Sequence, residues 1–171
     1  MLAQYRTQHP ALAQTVLRIG TILGERVDNQ ITALFEKPRL LAIRGSESPF
    51  VFIWDDDVTG AIVHALRTQR VGCFNLAGDG ALPLREIARR LGKPVLELPA
   101  GLLRAALAAG SALGVSRYGP EQLDFLRYRP VLLNTALKEV LGYVPGKTSE
   151  EAFEAFVDAR ARQGRPIRTA A

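Results

Sequence analysis

Hydrophobic residues in this chain form short, nearly uninterrupted runs, and most of these runs end at a glycine, a proline or an acidic turn. Runs of this length that are rich in β-branched and aromatic residues predict strands. The strand segments are Thr15–Ile19, Arg39–Ile43, Phe50–Trp54, Val71–Ala77 and Val95–Leu98. Val16–Ile19 and Val71–Ala77 are apolar almost throughout, which is typical of neighbouring strands that are buried on both faces of a parallel sheet.

Between these runs the apolar residues recur every three or four positions, a spacing that predicts helices with one buried face. The helical segments are Leu2–Gln8, a helix capped by Asp28 and ending near Glu36, Val58–Arg67, Pro83–Leu91, Leu102–Leu113, a helix opened by Gly119–Glu121, and Thr135–Leu141. Gly142 is expected to end the last of these in a left-handed conformation. The alternation of strands and helices indicates an α/β fold.

A further helix follows Thr148 near the end of the chain. Thr148 and Glu151 have the spacing of a capping box, in which the hydroxyl accepts a hydrogen bond from the third amide and the carboxylate reaches back. This helix is expected to bury Phe153, Phe156 and Val157. No linker interrupts the 171 residues, so we predict one α/β unit over residues 1–163 and a flexible basic tail over residues 164–171.

Composition narrows the class of protein. Hydrophobic residues make up 47% of the chain, enough for a buried core. A single cysteine, Cys73, excludes an intrachain disulfide, and no secretory signal opens the chain, so a cytoplasmic location is expected. The most apolar segment, Ala100–Val115, is shorter than the ~20 residues that cross a bilayer, so we expect no membrane contact. The net charge of +5 comes without a nucleic-acid-binding motif, so we expect no nucleic acid as partner, whereas an anionic small ligand fits the charge.

Few residues have the pattern of a catalytic or metal site. The acidic turn Asp55–Asp57 could bind a hard cation, but adjacent carboxylates point in different directions, and helix capping by Asp56 or Asp57 is favoured. His64 is expected to pack or to be solvated, and Cys73 to be a small buried hydrophobic residue. No serine stands in a Gly-x-Ser-x-Gly context, so serine nucleophile chemistry has no support.

The segment Gly78–Pro83 begins like the glycine-rich turn that cradles a dinucleotide phosphate, because two glycines follow a strand and precede a helix. Pro83 stands where the third glycine belongs. We therefore predict a simple turn into a helix, with Asp79 or Gly80 near the helix cap, and no dinucleotide binding there.

Short motifs in a fixed order carry a resemblance to a known family. They are Arg18–Gly24 (RIGTILG), Phe52–Val58 (FIWDDDV), Cys73–Leu76 (CFNL), Leu141–Pro145 (LGYVP) and Glu150–Glu151. Together they cover about residues 1–157, and they resemble the second half of an extended short-chain dehydrogenase/reductase, the NAD-dependent epimerase/dehydratase family. The resemblance implies an α/β fold that corresponds to the C-terminal half of a Rossmann-like enzyme, with a small helical substrate-binding part.

The resemblance also implies where ligands would lie. In the family, the loop after the first of these strands runs beside the nicotinamide, so the implied cofactor-binding residues are Ile19, Gly20, Thr21 and Ile22. The implied substrate-binding residues are Thr21, Leu23, Arg44 and Phe50. Many sugar-nucleotide enzymes of the family place a diphosphate-binding arginine where this chain has Phe50, which favours a more apolar substrate, although Arg44 could compensate.

Two parts of the family's machinery are missing from the expected places. The glycine-rich phosphate turn is absent. Tyr143 and Lys147 have the spacing of the Tyr-x-x-x-Lys proton-transfer pair, but Pro145 and Gly146 forbid the helix that would bring these two side chains together. The resemblance implies that the true pair lies upstream of Met1. We therefore expect no catalytic residue and no metal in this chain, and NAD or NADP as a cofactor of the intact family that this chain alone does not bind.

Two hypotheses about function follow. The leading one is the substrate-binding C-terminal portion of an NAD(P)-dependent epimerase/dehydratase-like oxidoreductase, truncated and inactive alone, with a nucleotide sugar or a more apolar compound as substrate. The alternative is a non-catalytic binding or interaction module that reuses this half of the fold. In either case the strands would lack neighbours, so we expect self-association or an N-terminal partner chain.

Overall fold

A computed structural model describes residues 2–112 and 129–167 of the chain. In these residues the strands are β1 Thr15–Ile19, β2 Thr21–Leu23, β3 Leu40–Ile43, β4 Phe52–Trp54, β5 Gly72–Leu76 and β6 Val95–Leu98. The helices are α1 Leu2–Gln8, α2 Gln30–Phe35, α3 Asp55–Thr68, α4 Leu84–Leu91, α5 Ala100–Ala112, a π-helical turn Leu137–Leu141, and α6 Ser149–Arg162. The predicted α/β fold class is confirmed, whereas the helix predicted to open at Gly119–Glu121 lies outside the described residues.

The described residues group into two compact units, each assembled from three segments of the chain. Unit 1 draws on Met1–Val27, Val51–Gly80 and Leu132–Ala155, and unit 2 on Asp28–Phe50, Ala81–Val131 and Phe156–Ala171. Because these segments alternate along the chain, no boundary in the sequence separates the units. The single α/β unit over residues 1–163 stays a prediction.

Unit 1 contains the parallel strand pairs that the apolar runs predict. β1 pairs with β5 in a register that runs from Thr15 opposite Gly72 to Ile19 opposite Leu76, so the predicted adjacency is confirmed. β2 pairs in parallel with β4, with Thr21 opposite Phe52. The side chains of β1 are exposed or half-buried along its length, so the covering expected of an intact sheet is not provided by the described residues.

The core of unit 1 lies between these strands, α3 and the π-helical turn. Its fully buried side chains are Ile53, Ala61, Ala65, Phe74, Leu76, Leu137 and Leu141. Burying each large aliphatic or aromatic side chain of this kind stabilises a fold by about 1.5–3 kcal/mol. The alternation along β5 turns Phe74 and Leu76 toward this core and leaves Cys73 exposed. The prediction that Cys73 is buried is therefore wrong, because Cys73 lies on the other face of a two-residue repeat.

The acidic turn after β4 does not cap α3. Trp54 occupies the N-cap position without a side-chain hydrogen bond, and Asp55–Asp57 form the first turn of the helix. The capping predicted for Asp56 or Asp57 is thus wrong, although negative charge in a first turn still interacts favourably with the helix dipole. The Asp57 carboxylate instead accepts hydrogen bonds from the Gly146 amide at 2.7 Å and from the Tyr143 hydroxyl at 3.1 Å.

The predicted start of α6 is confirmed. Thr148 Oγ1 accepts a hydrogen bond from the Glu151 amide at 3.1 Å, and Glu151 Oε2 accepts one from the Thr148 amide at 2.8 Å. The hydrogen bonds that the Thr148 amide and then the Thr148 hydroxyl donate to Glu151 Oε2 lower the pKa of the Glu151 carboxyl. The residues expected to be buried after this capping box, Phe153, Phe156 and Val157, are buried.

Unit 2 contains the parallel pair β3–β6, in which Leu40 lies opposite Val95 and Ile43 opposite Leu98. The α2 helix is capped by Asn29 and not by Asp28, since Asn29 Oδ1 accepts hydrogen bonds from the amides at positions 31 and 32. The Asp28 carboxylate instead forms an ion pair with the buried guanidinium of Arg160. The predicted cap is wrong by one residue because both side chains suit that position.

The predicted extent of the helix Thr135–Leu141 is confirmed, but only residues 135–136 are α-helical and Leu137–Leu141 form a π-helical turn. Gly142 ends this turn with φ +82°, as expected. The helix predicted over Leu102–Leu113 spans Ala100–Ala112 in the described part of the chain. Within the predicted basic tail, Ile167 is buried in the described portion.

Candidate functional site

The carboxyl ends of β1 and β5 lie beside Gly20, where strand β2 begins. Open α/β sheets bind ligands at such an edge. The Gly20 amide donates a hydrogen bond to the carbonyl of Leu76 at 2.9 Å, and the Thr21 amide donates to the carbonyl of Val51 at 3.1 Å. The chain therefore changes its hydrogen-bonding partner from β5 to the segment before β4 within two residues. The family-based expectation of a loop here is corrected, because Thr21–Leu23 forms strand β2.

The two glycines near this junction differ in how closely other backbone atoms approach them. A Cβ atom on Gly20 would lie 3.4 Å from the Val51 carbonyl oxygen, an ordinary van der Waals distance. A Cβ atom on Gly78 would lie 2.7 Å from the carbonyl oxygen of Lys147 and from the amide nitrogen of Ser149, which is closer than real Cβ contacts. Gly78 is therefore required by the packing of backbone against backbone.

The implied cofactor-binding residues follow one another along this junction. Ile19 is 39% exposed at the end of β1, and Gly20, Thr21 and Ile22 are half-buried. Ile22 also packs against the core of unit 1. Leu23, implied in substrate binding, is fully buried, backbone included, so the described structure leaves none of its surface open to a ligand.

A polar cluster at the end of β5 was not predicted. Asp79 Oδ1 accepts hydrogen bonds from Lys138 Nζ at 2.7 Å and from Asn134 Nδ2 at 2.9 Å, and Asn134 also donates to the Ala77 carbonyl. The hydrogen bond from Lys138 and then that from Asn134 hold the pKa of the Asp79 carboxyl below its usual range. Asp79 was expected near the cap of the next helix, but Pro83 is the N-cap residue. The partners of Asp79 lie more than fifty residues later, and no local pattern signals them.

The turn Gly78–Gly80 does not fit a dinucleotide phosphate. Such a turn needs backbone amides that point at the anion. The Gly78 amide of this turn already donates a hydrogen bond to the Phe52 carbonyl at 2.7 Å, so it does not point at an anion.

Tyr143 and Lys147 are not arranged as a proton-transfer pair. Residues 142–148 are not helical, which confirms the expectation from Pro145. Burial first, and then the neighbouring Asp57 carboxylate, raise the pKa of the Tyr143 phenol to about 12. A proton-transfer tyrosine needs a lowered pKa, so the Tyr143–Asp57 hydrogen bond is structural. Lys147 Nζ lies 5.4 Å from the centroid of the Trp54 ring.

Metal and membrane sites are not found in the described residues. Among residues 2–112 and 129–167, no group of three or more histidine, cysteine, aspartate or glutamate side chains could hold a metal ion. In the same part of the chain no helix has the length and apolar character that crossing a bilayer requires. His64 Nε2 lies 2.9 Å from the Leu141 carbonyl, so this histidine packs against the π-helical turn.

Unit 2 holds the other two implied substrate-binding residues, but it does not bring them together at one cavity. Phe50 is buried, pairs with Leu82 through reciprocal backbone hydrogen bonds, and lines a cavity of about 70 Å³. Arg44 is exposed at the end of β3 and does not line this cavity. Instead, the guanidinium carbon of Arg129 lies 4.0 Å from the centroid of the Phe50 ring. Arg129 was missed because it stands outside every motif of the resemblance.

Comparison with known proteins shows partial matches. No family model matches the chain. The uncharacterised protein Rv0501 of Mycobacterium tuberculosis is 28% identical over 153 residues, which cover 90% of this chain and 41% of that protein. The chain therefore spans less than half the length of this relative.

Solved structures extend the comparison at the level of the fold. UDP-glucose 4-epimerase from Thermotoga maritima, solved with UDP-glucose, matches with a TM-score of 0.60 and 19% identity over 95% of this chain and 50% of the enzyme. The dTDP-glucose 4,6-dehydratase DesIV from Streptomyces venezuelae, solved with NAD and TYD bound, matches with a TM-score of 0.62 and 17% identity over 94% of this chain and 48% of the enzyme. The described chain thus has the parallel α/β fold of about half of a Rossmann-like epimerase or dehydratase structure.

Proposed function

We propose that this chain is the substrate-binding C-terminal portion of an NAD(P)-dependent epimerase/dehydratase-like oxidoreductase, and that it is inactive by itself. One observation carries the proposal. Nearly the whole chain matches solved epimerase and dehydratase structures, yet it covers only about half of each. The exposed side chains of β1, which has the apolar sequence of a covered strand, support the same conclusion.

In this proposal the strand junction around Gly20 forms the wall beside the nicotinamide. Ile19, Gly20, Thr21 and Ile22 would contact the cofactor, and Thr21 would also face the substrate. Thr21 supports this role because it is half-buried and follows the carboxyl end of β1 by two residues.

The chemistry is divided between this chain and the missing portion. NAD or NADP supplies hydride acceptance or donation when it is bound to the intact assembly. The described residues offer a surface for the nicotinamide end but no fitting turn for the pyrophosphate, as the occupied amide of Gly78 indicates. Their part is to bind and orient the substrate and to exclude water.

The test measures cofactor chemistry with the 171-residue chain alone. NADH, NADPH and their oxidised forms are added with UDP-glucose or dTDP-glucose, and the near-ultraviolet absorbance and the fluorescence of the reduced nicotinamide are followed. We expect no turnover and no fluorescence change on mixing. Oxidation or reduction of the nicotinamide by this chain would overturn the proposal.

A second measurement separates the proposal from a free-standing binding module. The DNA immediately upstream of the Met1 codon is translated in the same frame, and the neighbouring genes are searched for a partner chain. We expect a Gly-x-x-Gly-x-x-Gly turn and a Tyr-x-x-x-Lys pair in one of them. If neither is found, the interaction module becomes the better description.

A further inference from the structure

The cavity in unit 2 has an apolar wall with polar groups at specific places. Its volume is about 70 Å³. The aliphatic and aromatic wall comes from α2, β3, α4, α5 and the bridge before β4. The wall residues that matter here are Phe35, Leu40, Ile43, Phe50, Leu84 and Leu103.

Arg129 contributes a cation to this apolar wall. Its guanidinium carbon lies 4.0 Å from the centroid of the Phe50 ring, a distance at which a cation and an aromatic face attract each other. Burial lowers the pKa of Arg129 to about 10, which leaves the guanidinium charged at neutral pH. Stacking on Phe50 restricts the orientation of the guanidinium, so its donors are held in place beside the cavity.

Ser48 contributes a hydroxyl and a strained backbone. Its φ angle is +43°, in the left-handed region that residues other than glycine seldom adopt. Ser48 is buried, lines the same cavity, and has its Oγ 3.2 Å from that of Ser46. Strained residues of this kind cluster where a chain holds a ligand.

We propose that this cavity binds a short aliphatic carboxylate, or the equivalent end of a larger substrate, with the alkyl group against the leucines and the carboxylate on Arg129. The proposal deepens the proposed function, because it rests on unit 2 belonging to the substrate-binding portion and names the chemical class that this portion recognises. The binding itself needs no nicotinamide.

The size of the cavity selects the alkyl group. An engineered apolar cavity of about 150 Å³ accepts benzene, so the cavity here, about half as large, has room for about three or four carbon atoms. An aromatic ring would not fit without displacement of the wall. A sugar ring would place hydroxyl groups against leucine side chains that cannot accept or donate hydrogen bonds.

The charge of the cavity selects the other end of the ligand. A carboxylate meets a planar guanidinium with two parallel hydrogen bonds, which are stronger than those between neutral groups. An ammonium group would be repelled by Arg129, and a neutral amide would lose the charge-assisted contribution. The expected order of affinity is therefore butyrate first, then butyramide, then butylamine.

The experiment titrates the full chain with butyrate, butyramide and butylamine and follows the methyl signals of leucine and isoleucine by NMR. Butyrate should shift the signals of Leu40, Ile43, Leu84 and Leu103, with butyramide at least ~10-fold weaker. The substitution Arg129→Met should weaken butyrate binding ~10-fold or more. Arg39→Met is the matched control, because it removes an exposed positive charge from the same unit and should leave binding unchanged.

A second variant fills the cavity without touching the charge. Leu41 lines the cavity and is 38% exposed, so Leu41→Phe can place a larger ring against the cavity without overpacking the core, and it should weaken butyrate binding. Equal binding of butyramide, unchanged binding in both variants, or no shift of any methyl signal by butyrate would overturn the proposal. Nicotinamide turnover by this chain would overturn the proposed function instead, so the two failures are distinguishable.

Discussion

Buried hydroxyl and carboxylate groups connect segments of unit 1 that lie far apart in the sequence. The enclosed Ser149 Oγ accepts a hydrogen bond from the Phe52 amide at 3.1 Å and lies 2.9 Å from the Gly80 carbonyl oxygen. Leaving such a buried partner unsatisfied costs about 1–3 kcal/mol, whereas an exposed ion pair such as Arg85–Glu97 contributes little. Single polar atoms therefore position the strands that carry the candidate site.

Tyr143 should titrate late in an alkaline titration. Its pKa is raised from 10.0 to about 12, so the folded state holds the phenol proton more tightly than the unfolded state does. The resulting stabilisation is complete below pH 10 and is lost as the pH rises toward 12. Ultraviolet absorbance of tyrosinate measures the transition, and Tyr143→Phe should remove the latest step.

The control for this titration replaces an exposed tyrosine. Tyr5→Phe removes one phenol far from Asp57 in the sequence and should leave the late step in place. A late step that survives Tyr143→Phe would show that the Asp57–Tyr143 hydrogen bond does not govern the alkaline transition.

At the level of elements, a turn between a strand and a helix can depend on a glycine, because glycine has no Cβ atom. The turn after β5 lies directly against the backbone that enters α6, since Gly78 leaves no space for a Cβ atom. A turn of this kind cannot relax by a change of rotamer, because backbone atoms are in contact with backbone atoms.

Gly78→Ala should lower the free energy of unfolding by about 2–3 kcal/mol, the cost of overpacking a site that cannot yield. The new methyl group would lie 2.7 Å from two backbone atoms. Gly101→Ala is the matched control, because that position in α5 has no atom within 4 Å and should be neutral or slightly stabilising. Urea unfolding measures both, and equal midpoints for the two variants would contradict the packing argument.

The longer elements were predictable from local pattern, and the long-range contacts were not. The β1 and β6 strands and the α6 capping box follow from runs and spacings of a few residues. The short β2 strand was missed, because its three residues form a strand only when β4, about thirty residues later, supplies the hydrogen bonds. Arg129 was missed for the same reason, since its position over Phe50 depends on tertiary packing.

On the scale of the whole molecule, strand β1 of unit 1 has side chains that the described residues do not cover. Within the described residues β1 is hydrogen-bonded to β5 alone, and its apolar side chains stay exposed or half-buried. An uncovered parallel strand of this kind is a template for pairing with another chain.

We therefore expect the chain to self-associate in solution. Size-exclusion chromatography with light scattering over a range of concentrations should show species larger than the 18.7 kDa monomer. Ile19→Lys, which places a charge at the exposed end of β1, should shift the equilibrium toward monomer.

Leu66→Lys is the control for self-association, since it places the same charge on an exposed position of α3, away from the strand. It should leave the association unchanged. A monomer that melts cooperatively at every concentration would contradict the expectation that the chain self-associates through β1.

The alternation of segments between the two units limits how this polypeptide can be dissected. Cutting the chain at any two peptide bonds cannot release either unit as one continuous peptide, because each unit consists of three separate segments of the chain. Deleting the residues after Ala155 would remove one of the three stretches of unit 2 and leave the other two without it. Truncated variants would therefore disrupt the fold of a unit before they showed which residues bind a ligand. Point substitutions are the better way to locate these residues.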